Sequence, residues 1–288
     1  MEEFLHEVVL DGLLDTAKLL PFLFLTYLTM EFLEHKAEGR ALRFLERSGN
    51  FGPLFGALVG TVPQCGFSAA AANLYAGRVI SLGTLLAVFL STSDEMLPLL
   101  IAGNVRATSV LLILAVKIVV GVACGMAVDA VIRRGHKEEP PHVDALCEKE
   151  HCHCERGIFR SALHHTLHIT IFLLLVTLLI NAAVFFIGEE AIASVLYDRP
   201  IVSHIVCALI GLVPNCAASV ALTGFYLNGF LTAGAMLAGL LPGAGVGLLV
   251  LFRVNRPARE NFRILLLLFV VGVLAGLLVD VTGLSALL

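Results

Sequence analysis

The chain has 288 residues, of which 58% are hydrophobic and only 15% charged, and its mean hydropathy is +0.91. A soluble domain carries about 45–50% apolar and about 25% charged residues, so a water-soluble enzyme and a disordered protein are excluded. The net charge of -4 leaves no basic face for nucleic acid. This is an integral membrane protein, and 26 glycines with no tryptophan suit helices packed through small residues.

A helical span needs about 20 apolar residues to cross roughly 30 Å of hydrocarbon. Eight stretches qualify, at 12–33, 52–75, 79–103, 107–132, 161–187, 200–227, 229–252 and 262–286. Backbone groups in lipid must be satisfied within the segment, so the class is all-α polytopic. The alternating ten-residue strands of a membrane barrel are absent. The N-terminus, Met-Glu-Glu-Phe-Leu-His-Glu, lacks the cationic start of a signal peptide, so the first helix is expected to stay in the mature protein. The chain divides into membrane repeat 1 (1–134), a polar His/Cys-rich linker (135–160) and membrane repeat 2 (161–288).

A shift of 151 residues lays Gly60-Thr-Val-Pro-Gln-Cys-Gly-Phe-Ser68 on Gly211-Leu-Val-Pro-Asn-Cys-Ala-Ala-Ser219. Seven of the sixteen positions from Gly60 to Tyr75 are identical, with Gln64 and Asn215 as chemical equivalents. Gly83 falls on Gly234, and Asn104 on Asn255. A shared Val-Pro-[Gln/Asn]-Cys-x-x-Ser is the mark of an internal duplication.

Charge decides how the two copies are expected to lie. Cytoplasmic loops carry the Lys and Arg excess. If all eight stretches crossed, the two sides would hold eight and ten cations, which is no bias. If 52–75 and 200–227 are re-entrant hairpins turning near Pro63 and Pro214, the split becomes fifteen to three, with Lys117 left inside a helix. Each repeat then has three full spans and one Pro-broken hairpin, so the two are expected in inverted topology. The Pro-x-Cys tips would meet near the midplane, as in secondary transporters. The protein would be a multi-pass protein of the cell (inner) membrane, with the linker cytoplasmic and both termini outside.

The candidate substrate residues follow. Pro63 and Pro214 break the helix and free backbone groups. Gln64 and Asn215 offer neutral oxygens, and Cys65 and Cys216 offer soft thiolates. Ser68 and Ser219 add hydroxyls one turn on. A Pro kink with a small buried Cys is the plain reading of one copy; duplication favours a site. Ser93, Asp94 and Glu95 lie in an otherwise apolar stretch, where carboxylates are costly and usually functional. Neighbouring carboxylates cannot share one helix face, so this stretch is expected to be unwound, as is its repeat counterpart Pro242-Gly-Ala-Gly245. The alternative ends the segment near Leu90 and leaves the acids in a wet interface.

Lys117 lies mid-helix and must be neutral or paired. It either pairs with Asp94 or Glu95, or acts as a charge that replaces a transported cation. Glu31, Glu34 and His35 close the first helix as a solvated end or an entry site. In the linker, Cys147, His151, Cys152, His153 and Cys154 supply thiolates and imidazoles for Zn(II), Cu(I) or a trivalent arsenical, without zinc-finger spacing. A reducing cytoplasm argues against disulfides there. His164, His165 and His168 extend that path or mark a membrane interface. Tyr75 and Tyr226 read as interface anchors, and Cys124 and Cys207 as packing residues.

Val-Pro-Gln-Cys-Gly-Phe-Ser with its second copy Val-Pro-Asn-Cys-Ala-Ala-Ser resembles the ten-helix heavy-metal exporters. So do the Met30–His35 helix end, the Ser-Thr-Ser-Asp-Glu stretch and the His/Cys-rich loop. Members are labelled arsenic efflux protein or manganese transporter, and organoarsenical permeases share the Pro-x-Cys element more distantly. The resemblance implies ten helices, which six spans and two hairpins of two half-helices would supply. It also implies export of arsenite, an organoarsenical or a divalent cation such as Mn(II). No nucleotide-binding motif is present, so coupling to the proton gradient or potential is expected, with no cofactor beyond the transported ion. Expected partners are the lipid bilayer and a small inorganic substrate, with self-association left open. The alternatives are a membrane metal sensor using the Cys/His loop, or an intramembrane thiol enzyme built on Cys65 or Ser68, which would need a buried His base.

Overall fold

The computed structural model describes residues 51–62, 65–93, 96–135, 200–214, 216–255 and 258–286, with scattered positions within 10–28 and 159–178. Among the described residues every regular element is a helix. The first set is α1 (Gly52–Gly60), α2 (Cys65–Ala76), α3 (Leu82–Ser91), α4 (Met96–Ala102) and α5 (Ala107–Gly135). The second is α6 (Pro200–Gly211), α7 (Cys216–Leu227), α8 (Ala233–Leu240), α9 (Val246–Val254) and α10 (Ala258–Val281), followed by a 3₁₀ turn at Leu284–Ala286. The starts of α2, α3 and α5 recur 151 residues on, at those of α7, α8 and α10.

Breaks in the chain set the helix lengths. The helix stops at Gly60 and restarts at Cys65, and stops at Gly211 and restarts at Cys216. Of the stretches expected to be unwound, Thr92 and Ser93 after α3 and residues 242–245 between α8 and α9 are non-helical, while Asp94 and Glu95 lie outside the described residues. Residues 82–102, 107–132 and 258–281 are long and apolar enough to cross a membrane. By contrast α1 and α2, of 9 and 12 residues, reach only about 14 and 18 Å at 1.5 Å per residue.

The starts of α3 and α8 are held in the same way. Ser81 caps α3, its Oγ accepting from the Thr84 N–H at 3.1 Å and donating to Asp129 Oδ2 at 2.7 Å. The Gly83 N–H donates to Asp129 Oδ1 at 2.8 Å. In the second set Thr232 Oγ1 accepts from the Ala235 N–H at 3.1 Å and donates to Asp280 Oδ2 at 2.6 Å, while the Gly234 N–H donates to Asp280 Oδ1 at 3.1 Å. Each aspartate, from the far end of a long helix, satisfies N–H groups that the start of a short one leaves open. A side chain at Gly83 would strike the Gly125 carbonyl, and one at Gly234 the Gly276 carbonyl, so both crossings need glycine.

Two apolar clusters fill the interior. One joins α2 and α3 to α9 and α10 through Tyr75, Leu86, Phe89, Leu248 and Leu268. The other joins α4 and α5 to α6, α7 and α8 through Met96, Ile113, Leu222 and Leu237. Phe55, Val119, Leu266 and Leu274 point outward at about 60% exposure or more, as suits a lipid-facing surface.

Candidate functional site

Three chain breaks meet at one small cavity. It is lined by Thr92 and Ser93 at the end of α3, Met96 at the start of α4, Ser219 in α7, Gly211 at the end of α6 and Leu240 at the end of α8, with Lys117 from the side of α5. Lys117 is only 1% exposed. Its Nζ donates to the Leu240 carbonyl at 2.8 Å and to the Thr92 carbonyl in a short contact. Both carbonyls close helices that end inside the protein, where the helix dipole is negative. One ammonium thus serves the open ends of both short helices. The two hydrogen bonds described for Lys117 go to carbonyls; Asp94 and Glu95, the carboxylates that the sequence offered as partners beside a role as substitute charge, lie outside the described residues.

The α3 end is closed further by its own hydroxyls. Ser91 Oγ donates to the Ala87 carbonyl at 2.8 Å and Thr92 Oγ1 to the Val88 carbonyl at 2.8 Å. Ser93 Oγ donates back to the Ser91 carbonyl at 3.0 Å. At the second break Gly245 takes φ +50°, a backbone conformation that glycine reaches without strain.

Of the residues singled out from the sequence, Ser93, Lys117 and Ser219 are brought together at this cavity. Pro214 is half-buried beside it in the chain. Ser68 is fully buried, but it packs against Gly247 of α9 rather than lining the cavity. Pro63, Gln64, Asp94, Glu95 and Asn215 lie outside the described residues, as do the side chains of Cys65 and Cys216. Cys65 and Cys216 are nonetheless the first residues of α2 and α7. Cys147, His151, Cys152, His153 and Cys154 also lie outside them. Among the described residues no group of three His, Cys, Asp or Glu is arranged to hold a metal ion.

Tyr75 is not an interface anchor. It is 4% exposed, and its hydroxyl makes a short hydrogen bond to Glu260 Oε1. Arg78 grips the same carboxylate with two hydrogen bonds, at 2.8 and 3.1 Å, and lies over the Tyr75 ring at 5.1 Å. That bidentate bond to Glu260 raises the Arg78 guanidinium above its ordinary range, so it stays charged. Cys207 is fully buried in the second apolar cluster, a packing residue as read.

Sequence reading missed Asp129 and Asp280 as clamps and Glu260 as the partner of Arg78. The aspartates were within reach, because the 151-residue shift that pairs Gly83 with Gly234 also pairs Ser81 with Thr232 and Asp129 with Asp280. Glu260 had no such signal, since its counterpart is Ser109.

Residues 1–187 match a family model described as "Putative, 10TM heavy-metal exporter". Neither a curated protein nor a solved structure matches the chain.

Proposed function

The chain belongs to that family of ten-span heavy-metal exporters, and from this premise we propose that it is a secondary transporter, not an enzyme, that exports a metal or metalloid through the cavity beside Lys117. The substrate binds between the two Pro-x-Cys tips, with Cys65, Cys216, Gln64 and Asn215 as ligands. Asp94 and Glu95 join from the break between α3 and α4. The substrate is arsenite, an organoarsenical or a divalent cation such as Mn(II). The observation that carries this reading is the Lys117 ammonium seated between the carbonyl ends of two broken helices. Broken helices whose ends line a cavity are the ion sites of secondary transporters. In the substrate-free protein Lys117 stands in for the cation and neutralises the helix ends. An arriving cation or a change of state displaces it.

Inverted repeats with re-entrant hairpins fit the same observations. α1 and α2 are each too short to span about 30 Å of hydrocarbon. Arg78, just after α2, pairs with Glu260 in the first turn of α10, whereas the start of α8 is clamped by Asp280 in its last turn. The starts of α3 and α8 are therefore separated by about 30 Å along α10. The same pairing keeps Arg78 beside the 253–263 cations, as the fifteen-to-three split requires. In this reading the linker 135–160 faces the cytoplasm of the cell (inner) membrane, and both termini lie outside. The chain acts as two membrane repeats, 1–134 and 161–288, in contact with lipid and the inorganic substrate, without nucleic acid. The linker residues Cys147 to Cys154 collect soft ions near the entrance.

The test is flux into inverted vesicles, compared for Mn(II), Zn(II) and arsenite. Cys65→Ser with Cys216→Ser is expected to abolish arsenite transport, and Lys117→Met to abolish transport of every substrate. Full flux of all three ions in both variants would overturn the assignment.

A further inference from the structure

We propose that His204 and Asp280 form a proton-binding site, and that the proton they share sets how firmly the start of α8 is held. His204 lies on α6 with its side chain 2% exposed, and its Nε2 is 3.0 Å from Asp280 Oδ2. The Asp280 side chain is 21% exposed, so the pair is buried on its histidine side and reaches water on its carboxylate side. The same carboxylate is the clamp on α8: Thr232 Oγ1 donates to Oδ2 and the Gly234 N–H to Oδ1. Imidazole is the side chain that changes charge between about pH 5 and 8. A proton taken from water onto its ring gives Asp280 a fixed counter-charge, and its loss leaves the carboxylate to the N-terminus of α8 alone.

Three features single this pair out. First, a carboxylate faces the ring at hydrogen-bond distance. Of the elements packed on α6, α8 carries no titratable group, α7 carries Tyr226 and, with its side chain outside the described residues, Cys216, and α10 offers Asp280 at this end, with Arg259, Glu260 and Arg263 at its opposite end. Cys207 lies on α6 itself and belongs to the apolar cluster. Second, the pair exists in one half only. The equivalent clamp, Asp129 on α3, has Pro53 where His204 stands, 151 residues earlier, and is described with Ser81 Oγ and the Gly83 N–H as its donors. Third, α8 connects the pair to the cavity. The helix is eight residues long, and the Leu240 carbonyl at its far end is the one Lys117 holds. A change in grip at the start of a helix this short reaches the cavity as a rigid shift of about 12 Å of helix. The proton site stands on this geometry alone; its use in driving export rests on the transporter reading above.

The experiment is amide hydrogen exchange on the purified full chain in detergent at about pH 5.5 and about pH 7.5. Exchange at 232–236 is divided by exchange at the matching residues 81–85 in the same sample, which cancels the pH dependence of exchange itself. The ratio is expected to change about tenfold, with 232–236 better protected at the lower pH, and to be flat in both His204→Gln and His204→Asn. A ratio that does not move in the unmodified protein, or one that still moves in both variants, overturns the proposal. In parallel, flux of Mn(II) and arsenite is measured in vesicles at the same two pH values. A moving ratio in protein that carries neither ion upholds the proton site and removes the transporter reading.

Discussion

The α3 end and the α8 end of the molecule are the same frame with different chemistry. Each short helix starts on a hydroxyl cap and an aspartate clamp, 151 residues apart. Each also ends on a carbonyl held by one lysine. Yet Lys117 corresponds to Leu268, Arg78 to Gly229, and His204 to Pro53. Leu268 is fully buried in the first apolar cluster, and around it Phe89 fills the position that Leu240 occupies beside the cavity. The frame is thus repeated for packing, whereas Lys117, Arg78 and His204 each occur in one copy without a counterpart in the other. Repetition satisfies backbone groups in a medium without water. A single buried charge at the meeting of the two copies is costly, and one is enough to serve both helix ends.

The sharpest way to break this comparison is to remove the shared charge. Lys117→Met leaves two buried carbonyls without a charged donor, at about 1.5–3 kcal/mol each, and is expected to reduce flux at least tenfold and to lower thermal stability. Leu268→Met, the matched change in the other copy, is expected to do neither. Flux and unfolding in detergent measured side by side decide it, and equal losses would show that the asymmetry carries nothing. Next come the crossings that both copies share. Gly83→Ala and Gly234→Ala each drive a methyl into a carbonyl and an aspartate, for an expected loss of about 1–3 kcal/mol, similar in the two halves.

Smaller effects sharpen the contrast at the edges. Arg78→Ala removes the paired guanidinium from Glu260, whose side chain is 25% exposed; water screens part of the loss, so about 1 kcal/mol is expected from thermal unfolding. Gly229, at the matching position, has open space around it and φ +77°, and Gly229→Asn is expected to be close to neutral because Asn tolerates that conformation. Least of all, Gly224→Ala within α7 meets nothing within 4 Å. It is expected to raise stability by about 0.5–1 kcal/mol through helix propensity, a sign opposite to that at Gly83 and Gly234.

Much of the frame was legible before any coordinates. Pro63 and Pro214 mark breaks because proline cannot continue the hydrogen-bond ladder, and Ser93 and Lys117 stood out because polar groups in apolar stretches are expensive. Tyr75 was misread because an aromatic at a helix end suits an interface equally well. Only its contact with Glu260, 185 residues away, turns it inward. Ser68 and Ser219 are alike in sequence, yet one packs on Gly247 and the other lines the cavity. The cause is the neighbour each meets, and that neighbour comes from the opposite copy.

Composition, hydropathy and the recurrence of Val-Pro-[Gln/Asn]-Cys-x-x-Ser determined by themselves that this is a helical membrane protein with broken elements, because those features depend on transfer free energy and local backbone geometry. The tertiary structure alone decided which groups meet. That Lys117 bridges the ends of α3 and α8, that Asp129 and Asp280 hold their starts, and that His204 faces only one of the two clamps are pairings between residues 25 to 123 positions apart. No local pattern encodes such distances, since the side chain is placed by how the helices pack.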